Sequence, residues 1–206
     1  SALGMRLHDR PFLGGQHARL VQHPVGDADL ADVVDTGGGN NQLGAGPLHI
    51  EFAEDALGEF GDAAGVAAGL KPSGGIDVGL LVSDALDTTS AARFTRSGVL
   101  AAPVLVTRER ARLDVLRVVV ANSGNANAAT GRRGLDGAAR MQGAGAMVGG
   151  VTEDRVAVAS TGVIGVPLDG QAIVNGLARA RGELRADGDG DFAASIMTTD
   201  AFDKRA

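Results

Sequence analysis

From about Ala63 onward, short apolar runs alternate with glycine-rich breaks, and each run can be read for its period. Ile76-Asp77-Val78-Gly79-Leu80-Leu81-Val82 reads as a strand, and Pro103-Val104-Leu105-Val106-Thr107 as a second. Leu113 to Ala121, centred on Val118-Val119-Val120, reads as a third, apolar enough to be buried on both faces. Leu135, Ala138, Ala139 and Met141 suit a helix that Gly143 and Gly145 weaken. Arg155 to Ala159 is a fourth strand, closed by the turn Ser160-Thr161-Gly162. Asp169 is placed to cap a helix whose apolar positions include Ile173, Val174, Leu177 and Ala180. A last short helix carries Phe192, Ile196 and Met197. Strands interspersed with helices predict a mixed α/β layer architecture.

Residues 1–60 differ from the rest of the chain. They hold all four histidines (His8, His17, His23, His49), a polar Gly37-Gly38-Gly39-Asn40-Asn41 stretch and no strong periodicity. Arg6, Arg10 and Arg19 face nine acidic residues there, which accounts for the net charge of −6 and leaves the remainder neutral. The segment is left unassigned: disordered, weakly structured or a non-native extension.

At 206 residues the chain can bury one good core. With 44% apolar residues and six aromatics, all Phe, that core must be aliphatic. Thirty-two glycines, about twice the usual share, call for tight turns and close backbone approaches. The absence of cysteine removes disulfides, thiolate ligands and cysteine nucleophiles. No basic stripe or aromatic cluster suits nucleic acid. No run approaches the roughly 18 apolar residues of a membrane span, and no basic-then-apolar leader is visible, so a cytoplasmic location is expected.

Several motifs fail on inspection. Gly69-Leu70-Lys71-Pro72-Ser73-Gly74-Gly75 has phosphate-loop glycines, but Gly75 and Ile76 replace the required Lys and Ser/Thr. Asp187-Gly188-Asp189-Gly190-Asp191 begins like a calcium loop, yet Thr198 stands where its closing Glu belongs. His17 and His23 lack metal-ligand spacing, and Gly37-Gly38-Gly39 follows no strand. No histidine lies beyond residue 60, so any covalent catalysis needs another base, such as an α-amine acting on its own Thr. Thr161 and Gly162 have a different use. A hydroxyl beside an unshielded backbone N–H at a strand end can stabilise an oxyanion, although the same hexapeptide also suits an ordinary strand-to-helix turn.

Four segments in order give that turn a context. They are Ala64-Gly65-Val66-Ala67-Ala68-Gly69-Leu70-Lys71-Pro72-Ser73-Gly74, then Phe94-Thr95-Arg96 before Ala101-Ala102-Pro103-Val104. Asn122-Ser123-Gly124-Asn125-Ala126-Asn127 comes next, and Ser160-Thr161-Gly162-Val163-Ile164-Gly165 precedes Ile196-Met197-Thr198-Thr199-Asp200. Together these resemble the N-terminal half of the ornithine acetyltransferase family, the bifunctional glutamate N-acetyltransferases of arginine biosynthesis. Residues 1–60 lie outside the resemblance.

The resemblance implies an α+β fold: a layered sandwich of β-sheets flanked by helices, of the self-processing, N-terminal-nucleophile-like kind. It implies a precursor that cuts itself at an Ala–Thr bond, with the freed Thr of the β chain carrying acetyl from N-acetylornithine to glutamate. Residues 61–206 correspond to the α-chain part, whose partner is that β chain in an α2β2 assembly. No cofactor or metal is implied, although acetyl-CoA serves some members as a donor. By the motif match, Thr161 and Gly162 are the oxyanion hole and Thr198 contacts the amino-acid substrate. Asn122, Asn125 and Asn127 satisfy turn backbone beneath the site, and Lys71 either faces a carboxylate or is a solvated turn residue.

Departures from the family pattern are Arg93, where a small or apolar residue is usual, and Leu100, where a basic one is common. The chain also stops at Ala206, before the cleavage point and nucleophile, so by itself it is expected to be inactive. A related self-processing amidohydrolase or aminopeptidase and a non-catalytic remnant are the alternatives.

Overall fold

The computed structural model describes residues 61–86, 88–95 and 97–198, together with the backbone of two strands at 5–8 and 48–53. Strands β1 (Met5–His8), β2 (Leu48–Ala53) and β5 (Ala92–Phe94) form a small sheet. β1 runs parallel to β2, and β2 antiparallel to β5. The main sheet has the order β3-β4-β6-β7, from β3 (Gly61–Val66), β4 (Val78–Ser83), β6 (Val118–Asn122) and β7 (Val156–Ser160). Its first three strands are antiparallel neighbours, and β7 lies parallel to β6.

Parallel pairing requires a crossover, supplied here by helix α2 (Gly131–Gly149). Helices α1 (Ala102–Arg110) and α3 (Gly170–Gly182) lie on the same side of the sheet as α2, and α4 (Asp189–Ile196) lies on the other. The strand alternation explains both faces. Val78, Leu80, Val118, Val120, Val156 and Val158 join one core cluster with Met141, Ile173 and Leu177. The intervening Leu81, Val119, Ala121, Ala157 and Ala159 join a second with Phe192. The third strand's expected burial on both faces is therefore observed, but it begins at Val118. Leu113–Arg117 instead forms a turn tied to Ser90, whose Oγ donates to the Leu113 carbonyl and accepts the Leu116 N–H.

One expected strand is a helix. Pro103–Thr107 falls within α1, where Pro occupies the first turn and Thr107 points at the free edge of β7. The Val158 N–H donates to Thr107 Oγ1 at 2.9 Å, and that hydroxyl donates to the Val158 carbonyl at 3.1 Å. Gln142 of α2 adds a bond from Nε2 to the Val156 carbonyl at 3.0 Å. Helical side chains thus satisfy backbone groups that an edge strand would otherwise expose.

Asp169 caps α3 as expected, its Oδ1 accepting the N–H groups of Gln171 and Ala172 at 3.0 Å. Val174, expected on the apolar stripe, is instead 37% exposed. Among the described residues no helix is long and apolar enough to cross a membrane.

Candidate active site

The C-terminal ends of β3, β6 and β7 and the start of β4 meet at one edge of the main sheet. Three of the four motif segments leave from that edge as loops. The loop 67–77 joins β3 to β4, the loop 123–130 comes after β6, and the turn 161–165 comes after β7.

Asp77 organises the first loop. It is fully buried, and its carboxylate accepts the N–H groups of Ala68 and Leu70 at 2.6 Å and of Lys71 at 2.9 Å. Its backbone N–H donates to Val66 O and its carbonyl accepts Ser123 N–H, which joins the first loop to the second. A buried carboxylate surrounded by backbone donors has its hydrogen bonds met by the loop itself. Sequence reasoning missed this role, treating Asp77 only as part of a strand. The available signal was a lone acid at the mouth of an apolar strand, directly after a Gly/Pro/Ser loop.

Lys71 is a half-buried residue, not a solvated turn lysine. Its Nζ donates to the Ile76 carbonyl at 2.7 Å and to the Ala194 carbonyl at 3.4 Å. Burial lowers its pKa from the ordinary lysine value, and the nearby Asp77 charge partly opposes that shift.

Each asparagine satisfies a nearby backbone group, as the turn chemistry of Asn predicts, and two of them also bond across to other loops. Asn122 Nδ2 donates to the Asn125 carbonyl at 3.0 Å, and Asn125 Oδ1 accepts the Asn127 N–H at 2.8 Å. Asn127 Nδ2 donates to the Gly134 carbonyl at 2.9 Å, tying the loop to the first turn of α2. Asn125 Nδ2 reaches across to the carbonyls of Val166 and Pro167, at 3.0 and 3.2 Å.

The third loop lies along the second. Thr161 N–H donates to Asn122 O at 2.9 Å, Val163 N–H to Gly124 O at 3.3 Å, and Ala126 N–H to Val163 O at 2.9 Å. Thr161 is buried and Gly162 half-buried. Gly162 has φ +126°, and a Cβ there would lie 2.5 Å from Gly124 C and 2.7 Å from Asn125 N. Only glycine fits that position, on both backbone and steric grounds. Among the described residues no backbone acceptor takes the Gly162 N–H. A hydroxyl-bearing residue and a half-buried amide thus sit side by side at the end of a rigid strand.

Helix α4 approaches the same edge. Its contact with β3 and β4 is made through glycines: a Cβ on Gly65 would lie 2.0 Å from the Asp191 carbonyl oxygen, and one on Gly79 2.1 Å from Ser195 Oγ. Near its C-terminus, Ser123 Oγ donates to the Ser195 carbonyl, and Lys71 Nζ reaches Ala194 O. Thr198 follows Met197, the residue after the helix, and is exposed. Arg96, Thr199, Asp200, His17, His23 and the Gly37–Gly39 stretch lie outside the described residues. Among the described residues no three His, Cys, Asp or Glu side chains gather as metal ligands.

This α+β arrangement is that of the ornithine acetyltransferases. The ornithine acetyltransferase of Mycobacterium tuberculosis, solved in complex with ornithine, superposes with a TM-score of 0.68 at 37% identity, covering 71% of this chain and 80% of that one. The arginine biosynthesis bifunctional protein ArgJ of Bacillus halodurans superposes with a TM-score of 0.63, also at 37% identity, covering 70% and 75%. In sequence, the ArgJ family model matches residues 62–206, and the chain belongs to the ArgJ family. Curated relatives named arginine biosynthesis bifunctional protein ArgJ include those of Symbiobacterium thermophilum, 44% identical over 146 residues, and Rhodopirellula baltica, 44% identical over 144. These alignments cover 70% and 68% of this chain but 36% and 35% of the relatives, so the chain spans about a third of their length.

Proposed function

We propose that residues 61–206 are the α-chain part of an acetyltransferase of arginine biosynthesis. Acetyl passes from N-acetylornithine to glutamate through an acyl-enzyme on a threonine that opens the β chain. The reading rests above all on the Thr161-Gly162 turn, with its half-buried amide and its backbone locked against Gly124–Asn125. The names of the relatives and the ornithine bound in the M. tuberculosis neighbour support the substrate class.

The chemistry follows from the groups available. The β-chain threonine hydroxyl attacks the acetyl carbonyl, and its proton passes to the α-amine of the same residue. The carbonyl oxygen gains the negative charge and is held by the Thr161 hydroxyl and the Gly162 N–H. Collapse of the tetrahedral intermediate breaks the amide bond, and the departing ornithine nitrogen takes the proton. Glutamate's amine then attacks the threonine ester through the same oxyanion site, releasing acetylglutamate and restoring the hydroxyl. Thr198 contacts the amino-acid substrate from the end of α4. The working assembly is an α2β2 heterotetramer in the cytoplasm. It needs no metal or cofactor, and acetyl-CoA is a second donor where the assembly accepts one.

The test is to assemble this chain with the β portion of its own precursor or of a relative and to supply N-acetylornithine with glutamate. Acetylglutamate forming in step with released ornithine is the expected result. Acetate released at a rate independent of glutamate makes the assembly a hydrolase, and no acetyl cleavage at all overturns the reading.

A further inference from the structure

Ser160 immediately precedes the turn and takes no part in the mechanism above. Its Cα is in register with Asn122 across the parallel β6–β7 pair, and its Oγ donates to Asn122 Oδ1 at 2.6 Å. Asn122 is fully buried, and its Nδ2 donates onward to the Asn125 carbonyl. Its own carbonyl accepts the Thr161 N–H at 2.9 Å. The side chain of Ser160 and the backbone of Thr161 therefore grip one asparagine, and that asparagine holds the loop against which Gly162 is packed.

We propose that Ser160 is a positioning residue for the oxyanion site, acting through Asn122 to fix the Thr161-Gly162 turn relative to the 123–127 loop. The proposal rests on the acetyl-transfer reading. Ordinary β6–β7 pairing already holds the strands in register through their backbones, so the hydroxyl is not needed for the sheet to form. What the hydroxyl adds is fixation at the last pair, where the ladder ends and the turn begins. Misplacing an oxyanion donor by about 1 Å can cost on the order of a hundredfold in rate, so loosening this pair slows the chemical step more than substrate binding.

The experiment compares Ser160→Ala, Ser160→Thr, Ser160→Cys and Thr161→Ala in the chain assembled with its nucleophile-bearing β portion. Initial rates and the single-turnover rate of threonine acetylation are both measured. Ser160→Ala is expected to lower kcat and the acetylation rate by about ten- to a hundredfold, with KM for N-acetylornithine changed less than about threefold. Ser160→Thr, which keeps the hydroxyl, is expected to recover most of the rate, and Ser160→Cys to fall between Ala and wild type. Combining Ser160→Ala with Thr161→Ala should cost less than the product of the two single effects, because both act on one site.

A wild-type acetylation rate in Ser160→Ala overturns the proposal. So does a Ser160→Ala chain too unstable to assemble, if Ser160→Cys then turns over at the wild-type rate, since the hydroxyl is then a stability element. Near-normal turnover in Thr161→Ala removes the oxyanion reading itself, whatever the Ser160 variants do.

Discussion

A methyl group on Gly162 would lie 2.5 Å from the carbonyl carbon of Gly124, so the turn after β7 and the loop after β6 touch backbone to backbone. Gly124 is itself confined by the first loop, where a Cβ would lie 2.9 Å from the Leu70 carbonyl oxygen and 3.3 Å from Lys71 Cγ. Three loops far apart in sequence are thus stacked through two glycines, with the Gly162 amide at one end of the stack.

Gly162→Ala meets both a steric and a conformational obstacle, since φ is +126° and the nearest neighbours are backbone atoms that cannot swing aside. Strain of this kind costs about 1–3 kcal/mol, and displacement of the loops adds to it. The expected outcome is a lower melting temperature, with kcat in the assembled enzyme reduced on the order of a hundredfold. Thermal denaturation and steady-state rates check both parts. A variant as stable and active as wild type would contradict the packing described.

Alanine at Gly145 of α2 should destabilise the fold, and alanine at Gly143, two positions away, should not. A Cβ on Gly145 would lie 2.6 Å from Val120 Cγ2 and 2.9 Å from Val156 Cγ1, in the packed seam between helix and sheet. Overpacking there costs ~1–3 kcal/mol, more than the ~1 kcal/mol that alanine gains over glycine in a helix. At Gly143 the nearest atom is Glu153 Oε1 at 3.1 Å, the far end of an exposed side chain that also pairs with Arg110. Denaturant unfolding should show Gly145→Ala below wild type and Gly143→Ala at or above it.

Lys71 gives a pH signature. Its folded-state pKa is lowered by burial, so the unfolded chain binds the extra proton between that lowered value and 10.5, and its contribution to stability rises with pH across that window. Lys71→Met abolishes this contribution. The stability of wild type relative to Lys71→Met should therefore increase as the pH is raised from neutral toward 10.5, measured by urea unfolding at several pH values. A flat or falling difference would show that the ammonium is not desolvated.

The strands of the main sheet were readable where β-branched residues dominate, as at Val118–Val120 and Val156–Val158. β3 was missed because Gly61-Asp62-Ala63-Ala64-Gly65-Val66 carries almost no β-forming side chains. Gly65 records the close approach of α4, which is a property of the partner helix and not of the strand, and Gly61 that of the β4 backbone. The segment Pro103–Thr107 misled for a related reason. Ala102 and Val106 enter one core cluster and Val104 another, so the short helix shows no polar face within that window. The helix is chosen by tertiary contact, above all by Thr107 covering the edge of β7.

At the candidate site, the two glycine-bearing motifs and the local role of the asparagines were legible, because turn chemistry is encoded in the turn itself. The roles of Asp77 and Ser160 were not. Ser160 depends on loops 38 residues apart meeting at one sheet edge, which only the strand order establishes, whereas the Asp77 bonds lie within its own loop and show only once that loop's path is known.

The most direct test of the oxyanion site is Thr161→Ala, assayed with the β portion present and N-acetylornithine as donor. Loss of one such donor costs about 3–4 kcal/mol of transition-state stabilisation, a fall in kcat on the order of a hundred- to a thousandfold. The expected result is that fall with KM nearly unchanged. A kcat within a few-fold of wild type, or a loss confined to KM, would contradict an oxyanion role for the turn.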